Sequence, residues 1–158
     1  MDHVVRLSEL SRENGLRIGV AESLTSGRLA SAVGAGESAS EWFAGGIVSY
    51  LTDVKERVLG LEPGTDPCSS ACAEQLAGGA RELFDADVCV STTGVGGPGP
   101  EDGHEPGTVY LGWATRTARG HRRLDLDGDP ERVLDQTVDA ALELLVAHTE
   151  STAGESSA

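Results

Sequence analysis

A chain of 158 residues is long enough to bury one core without disulfide staples and too short for two ordinary domains. A formal net charge of −14, with 26 acidic residues against 12 scattered basic ones, excludes the clustered cations that a nucleic-acid surface needs. No apolar run approaches the roughly 18 residues of a membrane span, and Asp2, Glu9 and Glu13 make the start of the chain unlike a secretory leader, so a cytoplasmic protein is expected.

The acidity serves solubility and is compatible with a salt-rich cytoplasm. Cys68, Cys72 and Cys89 lack paired CxxC spacing, and His3, His104, His121 and His148 stand singly. Neither a disulfide framework nor a metal site is expected, and no cofactor is implied.

In chain order, Val4, Leu7 and Leu10 space out a short amphipathic helix that stops near Asn14-Gly15. The apolar run from Leu16 to Ala21 reads as a buried strand, followed by a helix from Leu24 to Val33 with Ser23 near its N-cap. Phe43 to Tyr50 forms a second strand, Asp53 to Leu59 a helix ended by Gly60, and Ser69 to Phe84 a longer helix of small residues. Asp87 to Thr93 is a third strand, and Gly94 to Gly107 a Gly/Pro loop. Thr108 to Thr115 and Arg122 to Leu126 pair as a hairpin, and Leu134, Val138, Ala141, Leu142 and Leu145 mark the last helix. Alternating strands and helices predict one α/β domain over residues 1–149, a three-layer α/β/α sandwich on a mixed sheet. Residues 150–158 have no apolar anchor and are expected to be a disordered tail.

Three constellations carry chemistry. Ser23 stands where a buried strand turns into a helix, so its hydroxyl is placed in the crevice beyond a strand's carboxyl end, where open α/β sheets bind ligands. The helix start offers N–H groups for a phosphate or an oxyanion; simple capping by serine is the competing explanation. Lys55, the single lysine among the 12 basic residues, follows Tyr50 by five positions. A desolvated amine can act as a base that a guanidinium cannot, and Ser/Lys pairs are one way to activate a serine. A solvated lysine beside Asp53 and Glu56 is the alternative. Ser91-Thr92-Thr93-Gly94-Val95-Gly96-Gly97-Pro98 runs from a strand into a glycine-rich turn, with Thr93 as a hydroxyl donor and the glycines allowing close backbone approach to a ligand. No GK[ST] follows, so it is not a Walker loop. The acidic stretch from Glu101 to Glu105 is expected to be a solvated, phosphate-repelling rim with a lid role open to it.

Together these segments resemble the C-terminal domain of the competence/damage-inducible protein CinA, which also occurs alone as nicotinamide-nucleotide amidase. The matching stretches are Ala21-Glu22-Ser23-Leu24-Thr25-Ser26-Gly27, Trp42-Phe43-Ala44-Gly45-Gly46-Ile47-Val48-Ser49-Tyr50 with Lys55, Thr93-Gly94-Val95-Gly96-Gly97-Pro98, and Pro106-Gly107-Thr108-Val109. The resemblance implies metal-independent hydrolysis of the carboxamide of nicotinamide mononucleotide to nicotinate mononucleotide and ammonia. It implies Ser23 as nucleophile, Lys55 as general base, Tyr50 assisting that pair and Thr93 near the reacting group. Substrate contacts are expected from Glu22, Thr25, Gly27, Gly45, Gly46, Gly94 and Gly97. Where the family usually carries two arginines at the start of the last helix, this chain has Pro130 and Leu134; Arg132 close by is the expected substitute as phosphate ligand, and a purely structural helix start at Pro130 is the alternative. The alternatives are a catalytically weak nucleotide-binding or accessory module of the same fold and an amidase with a changed substrate. The expected partner is a small nucleotide, with no nucleic acid and no membrane; homo-oligomerisation is left open.

Overall fold

The computed structural model describes residues 2–156. Strand β1 (Ile18–Glu22) is buried at all five positions, as a parallel strand covered on both faces must be. β2 (Phe43–Val48) pairs with one side of it and β3 (Val88–Gly94) with the other, both parallel. β4 (Thr108–Thr115) and β5 (Arg119–Asp125) then extend the sheet antiparallel, giving the order β2-β1-β3-β4-β5. The helices are α1 (His3–Asn14), α2 (Arg28–Gly34), α3 (Ala39–Trp42), α4 (Thr52–Leu59), α5 (Ser70–Phe84) and α6 (Pro130–Ser156).

Alternate strand residues feed two cores. Ile18, Val20, Val88 and Val90 join Leu7 of α1, Leu29 and Val33 of α2, and Leu145 of α6. Ala21 and Cys89 point the other way, to Leu59 of α4 and Cys72, Leu76 and Ala80 of α5. Small residues let α5 sit low on the sheet: a Cβ at Gly112 of β4 would run into the Ala73 carbonyl. Truncating a fully buried leucine such as Leu145 to alanine is worth ~2–5 kcal/mol, since neighbours only partly refill the space. The expected three-layer architecture and mixed sheet are therefore present.

Local chemistry sets the helix ends. Asp2 caps α1 by accepting from the N–H of Val4 at 2.8 Å, and Gly15 closes it in the left-handed conformation at φ 63°. Beyond shifts of up to three residues at other element ends, such as β5 beginning at Arg119 and not Arg122, three larger differences from the sequence expectation are present. The helix after β1 begins at Arg28, not Leu24; residues 23–27 form turns instead. α3 was not anticipated, being a single turn of four residues. The last helix does not stop near residue 149 but continues to Ser156, because packing against α1 supplies what composition did not show. Arg6 pairs with Glu150 at 3.1 Å, and Ala153 is buried against the core. Residues 157 and 158 lie outside the described range. Among the described residues no helix is long and apolar enough to cross a membrane.

Candidate active site

β1, β2 and β3 run parallel, so their carboxyl ends meet at one edge of the sheet. β5 ends at the same edge and leads into α6, because it is antiparallel to β4 and β4 is antiparallel to β3. At or within a few residues of those ends stand Ser23, Tyr50, Gly94 and Pro130. They line one cleft of about 490 Å³ together with Lys55, Thr93, Gly97, Glu101, Asp102 and Leu134. That edge is where ligands settle in open α/β sheets.

Ser23 is 7 % exposed, and its N–H donates to the Thr92 carbonyl at 3.1 Å, fixing it across from β3. It does not cap α2. That task falls to Glu22, fully buried one residue earlier, whose carboxyl accepts from the N–H groups of Leu29 at 2.8 Å and Ala30 at 3.0 Å and from the Thr25 hydroxyl at 2.6 Å. Thr25 is fully buried too and shares a 2.8 Å hydroxyl contact with Thr92. Glu22 and Thr25, expected as substrate ligands, are thus used up in holding the turn. The start of α2, expected to offer N–H groups to an anion, is already occupied by the chain's own carboxyl.

Lys55 is 2 % exposed, and its ammonium donates to the Tyr50 carbonyl at 2.7 Å. Burial pulls the amine below its ordinary value of 10.5, and only the Cys72 thiol acts in the opposite direction. That thiol is itself pushed up by burial, which favours its uncharged form and makes it a weak counter-ion. Tyr50 serves the lysine through its backbone; its ring is 62 % exposed at the cleft. Thr93 is buried, and its hydroxyl donates to the Pro67 carbonyl at 2.5 Å, which orients it from the segment leading into α5.

Four other expected ligands lie away from the cleft lining. Gly27 precedes α2 with φ 105°. Gly45 and Gly46 sit within β2, where a Cβ would meet the Phe84 ring at 3.1 Å and Ala30 at 2.8 Å respectively, so they permit helix packing. Arg132 is exposed, with its side chain laid over Gly128. Pro130 and Leu134, by contrast, line the cleft wall. The sequence reading named Thr92 and the i, i+4 pair Cys68 and Cys72 without giving them a place at the site, and it missed Pro67; the Cys72 thiol lies near the lysine, and Pro67 and Cys68 line the cleft. Burial pushes Cys68 up to about 11, so it too is neutral. Glu101 and Asp102 form the expected acidic rim, and His104 Nε2 contacts Asp66 at 2.7 Å, tying that loop to the lead-in of α5. Among the described residues no three His, Cys, Asp or Glu side chains gather as a metal-holding group.

The family model described as CinA C-terminal domain matches residues 2–149. This chain belongs to the CinA C-terminal domain family. A competence-damage inducible relative from Bacillus velezensis is 43 % identical over 113 residues, which is 69 % of this chain and 27 % of that protein. One from Geobacillus kaustophilus is 44 % identical over 112 residues, 68 % of this chain and 27 % of its own length. The chain therefore spans about a quarter of the curated relatives it matches. Among solved structures, a CinA superfamily protein from Escherichia coli has a TM-score of 0.87 at 34 % identity, covering 92 % of this chain and 88 % of that one. One from Klebsiella pneumoniae has a TM-score of 0.88 at 29 % identity, covering 94 % and 96 %. This CinA C-terminal domain is a mixed five-stranded α/β unit with Ser23 and Lys55 on one cleft.

Proposed function

We propose that this chain is a serine amidase that hydrolyses the carboxamide of a pyridine nucleotide without a metal, nicotinamide mononucleotide being the substrate that the family resemblance implies. The observation that carries this reading is a lysine 2 % exposed, lowered in basicity by burial, on the same cleft as a serine at a strand end. A surface cation has no reason to be buried with only a carbonyl for company, whereas a base that works near neutral pH needs such desolvation.

In this mechanism neutral Lys55 takes the proton from the Ser23 hydroxyl as Oγ attacks the carboxamide carbon. The proton passes to the leaving nitrogen, the C–N bond breaks, and ammonia departs from an acyl-enzyme. Water, deprotonated by Lys55, then attacks the ester, restoring Ser23 and releasing the carboxylic acid. With Leu29 and Ala30 already donating to Glu22, the backbone of Gly96 and Gly97 on the cleft wall is the better source of oxyanion donors. Thr93 positions that loop, and the Tyr50 carbonyl aims the amine.

The test is ammonia release from nicotinamide mononucleotide by the purified protein in low and molar salt, with Ser23→Ala as the blank. Release that vanishes with Ser23 is the expected result. A folded protein that releases none from any pyridine carboxamide would move the assignment to a binding or accessory role, a reading favoured by the absence of a phosphate-binding arginine among the cleft residues.

A further inference from the structure

We propose that the cleft selects a phosphate-free, cationic pyridinium carboxamide, a nucleoside in preference to its 5′-phosphate. This rests on the amidase reading for the reacting group, but the preference itself is set by charge around the cleft. Among the described residues the only Lys or Arg on its lining is Lys55, and that ammonium is buried and engaged with the Tyr50 carbonyl. The wall beside the start of α6 is Pro130 and Leu134, which offer a phosphate nothing. Facing solvent at the same mouth are two carboxylates, Glu101 and Asp102.

Other arginines lie off the cleft lining. Arg28 binds Glu131 at 2.8 Å and Asp135 at 3.4 Å, Arg123 binds Asp125 at 3.0 Å, and Arg132 lies over Gly128. Nor can the start of α2 serve as an anion site, because Glu22 fills it. A dianionic phosphate placed here would meet two like charges and find no bidentate donor. A quaternary pyridinium, by contrast, meets those carboxylates as counter-ions. It also finds the ring of Tyr50, 62 % exposed on the cleft, as a cation–π surface.

Nicotinamide riboside and nicotinamide mononucleotide differ only by the phosphate and are the probes. Their affinities for the Ser23→Ala protein, and for the wild type as a folding control, are to be measured by titration calorimetry at low and molar salt. The expected result is riboside binding about tenfold or more tighter at low salt, with the gap shrinking in molar salt as screening weakens the rim. Glu101→Gln with Asp102→Asn, both exposed, should narrow the gap in the same direction, and Tyr50→Leu should weaken both ligands, which share the pyridinium, and leave the gap between them. Equal or tighter binding of the mononucleotide overturns the proposal while leaving the amidase standing if ammonia is released. Tighter riboside binding without ammonia release from wild type upholds the charge preference and sinks the amidase. Binding of neither ligand to either protein overturns the preference.

Discussion

The carboxyl ends of β1 and β3 lie side by side, yet one is closed and the other open. At the end of β1 the chain satisfies itself: Glu22 turns back into the start of α2, Thr25 braces it, and Thr92 ties both to the neighbouring strand. At the end of β3 the chain runs out along a glycine loop that forms the wall of a cleft, with Thr93 held by Pro67 and Glu101 at the rim. Ser23 stands between the two, anchored by the closed end and facing the open one. The difference teaches that a helix start is an anion site only when its own chain has not already filled it, and that a rigid turn can matter by presenting its neighbour.

The largest effect should come from the residues that face the open end. Ser23→Ala and Lys55→Ala are each expected to lower ammonia release by about a thousandfold or more while leaving the far-ultraviolet circular dichroism unchanged, since nucleophile and base act as a unit. Near wild-type turnover in either variant would remove the Ser/Lys assignment.

Breaking the closed end should cost stability instead. Glu22→Ala leaves the N–H groups of Leu29 and Ala30 without their acceptor and the buried Thr25 hydroxyl with Thr92 alone, and about 3 kcal/mol of unfolding free energy is expected to go, read from urea denaturation. Glu22→Gln keeps an accepting oxygen and should lose less. If Glu22 contacted substrate instead of capping α2, Glu22→Ala would lower turnover with little change in the denaturation midpoint.

Lys55 offers a pH test of the burial that the open end imposes. Because its folded-state value is lowered, the unfolded chain holds the proton across the window between that value and 10.5. Stability should therefore rise with pH through that window, and the penalty of the buried ammonium should be in full force below it. Lys55→Met is expected to be inactive but about 1 kcal/mol more stable at pH 7, the excess fading as pH approaches 10.5. Turnover by wild type should rise with pH through the same lowered value. A stability difference that does not change with pH would show that the amine is well solvated. The smallest effect belongs to the rim: Glu101→Gln should change unfolding free energy by less than about 0.5 kcal/mol, because the side chain is exposed.

Much of the site could be read before the fold was known, for reasons that differ residue by residue. Ser23 follows a fully apolar run, and a strand end in an α/β sheet is a privileged position. Lys55 stood out as the single lysine. Glu22 and Thr25 flank Ser23, and Gly45 and Gly46 share the stretch that leads to Tyr50 and Lys55, so motif adjacency alone grouped them with the ligands. Their work depends on which helix packs above the strand: Glu22 meets α2, and Gly45 meets the end of α5. Arg132 was placed near a phosphate by proximity in sequence, but helical geometry turns its side chain out over Gly128 and turns Pro130 and Leu134 in. Residues 150–156 looked unanchored because their partners, Arg6 and the α1 core, lie more than a hundred positions away.

By itself the amino-acid sequence determined the layer order, the elements that carry Ser23 and Lys55, the acidity of the rim and the family, because periodicity, turn chemistry and motif order are local properties of the chain. Tertiary structure decided which polar groups are free to meet a ligand and which are consumed inside the protein. A buried carboxyl, hydroxyl or amine finds whichever partner the packing brings within hydrogen-bond distance, and that partner is set by the fold rather than by its neighbours in the chain.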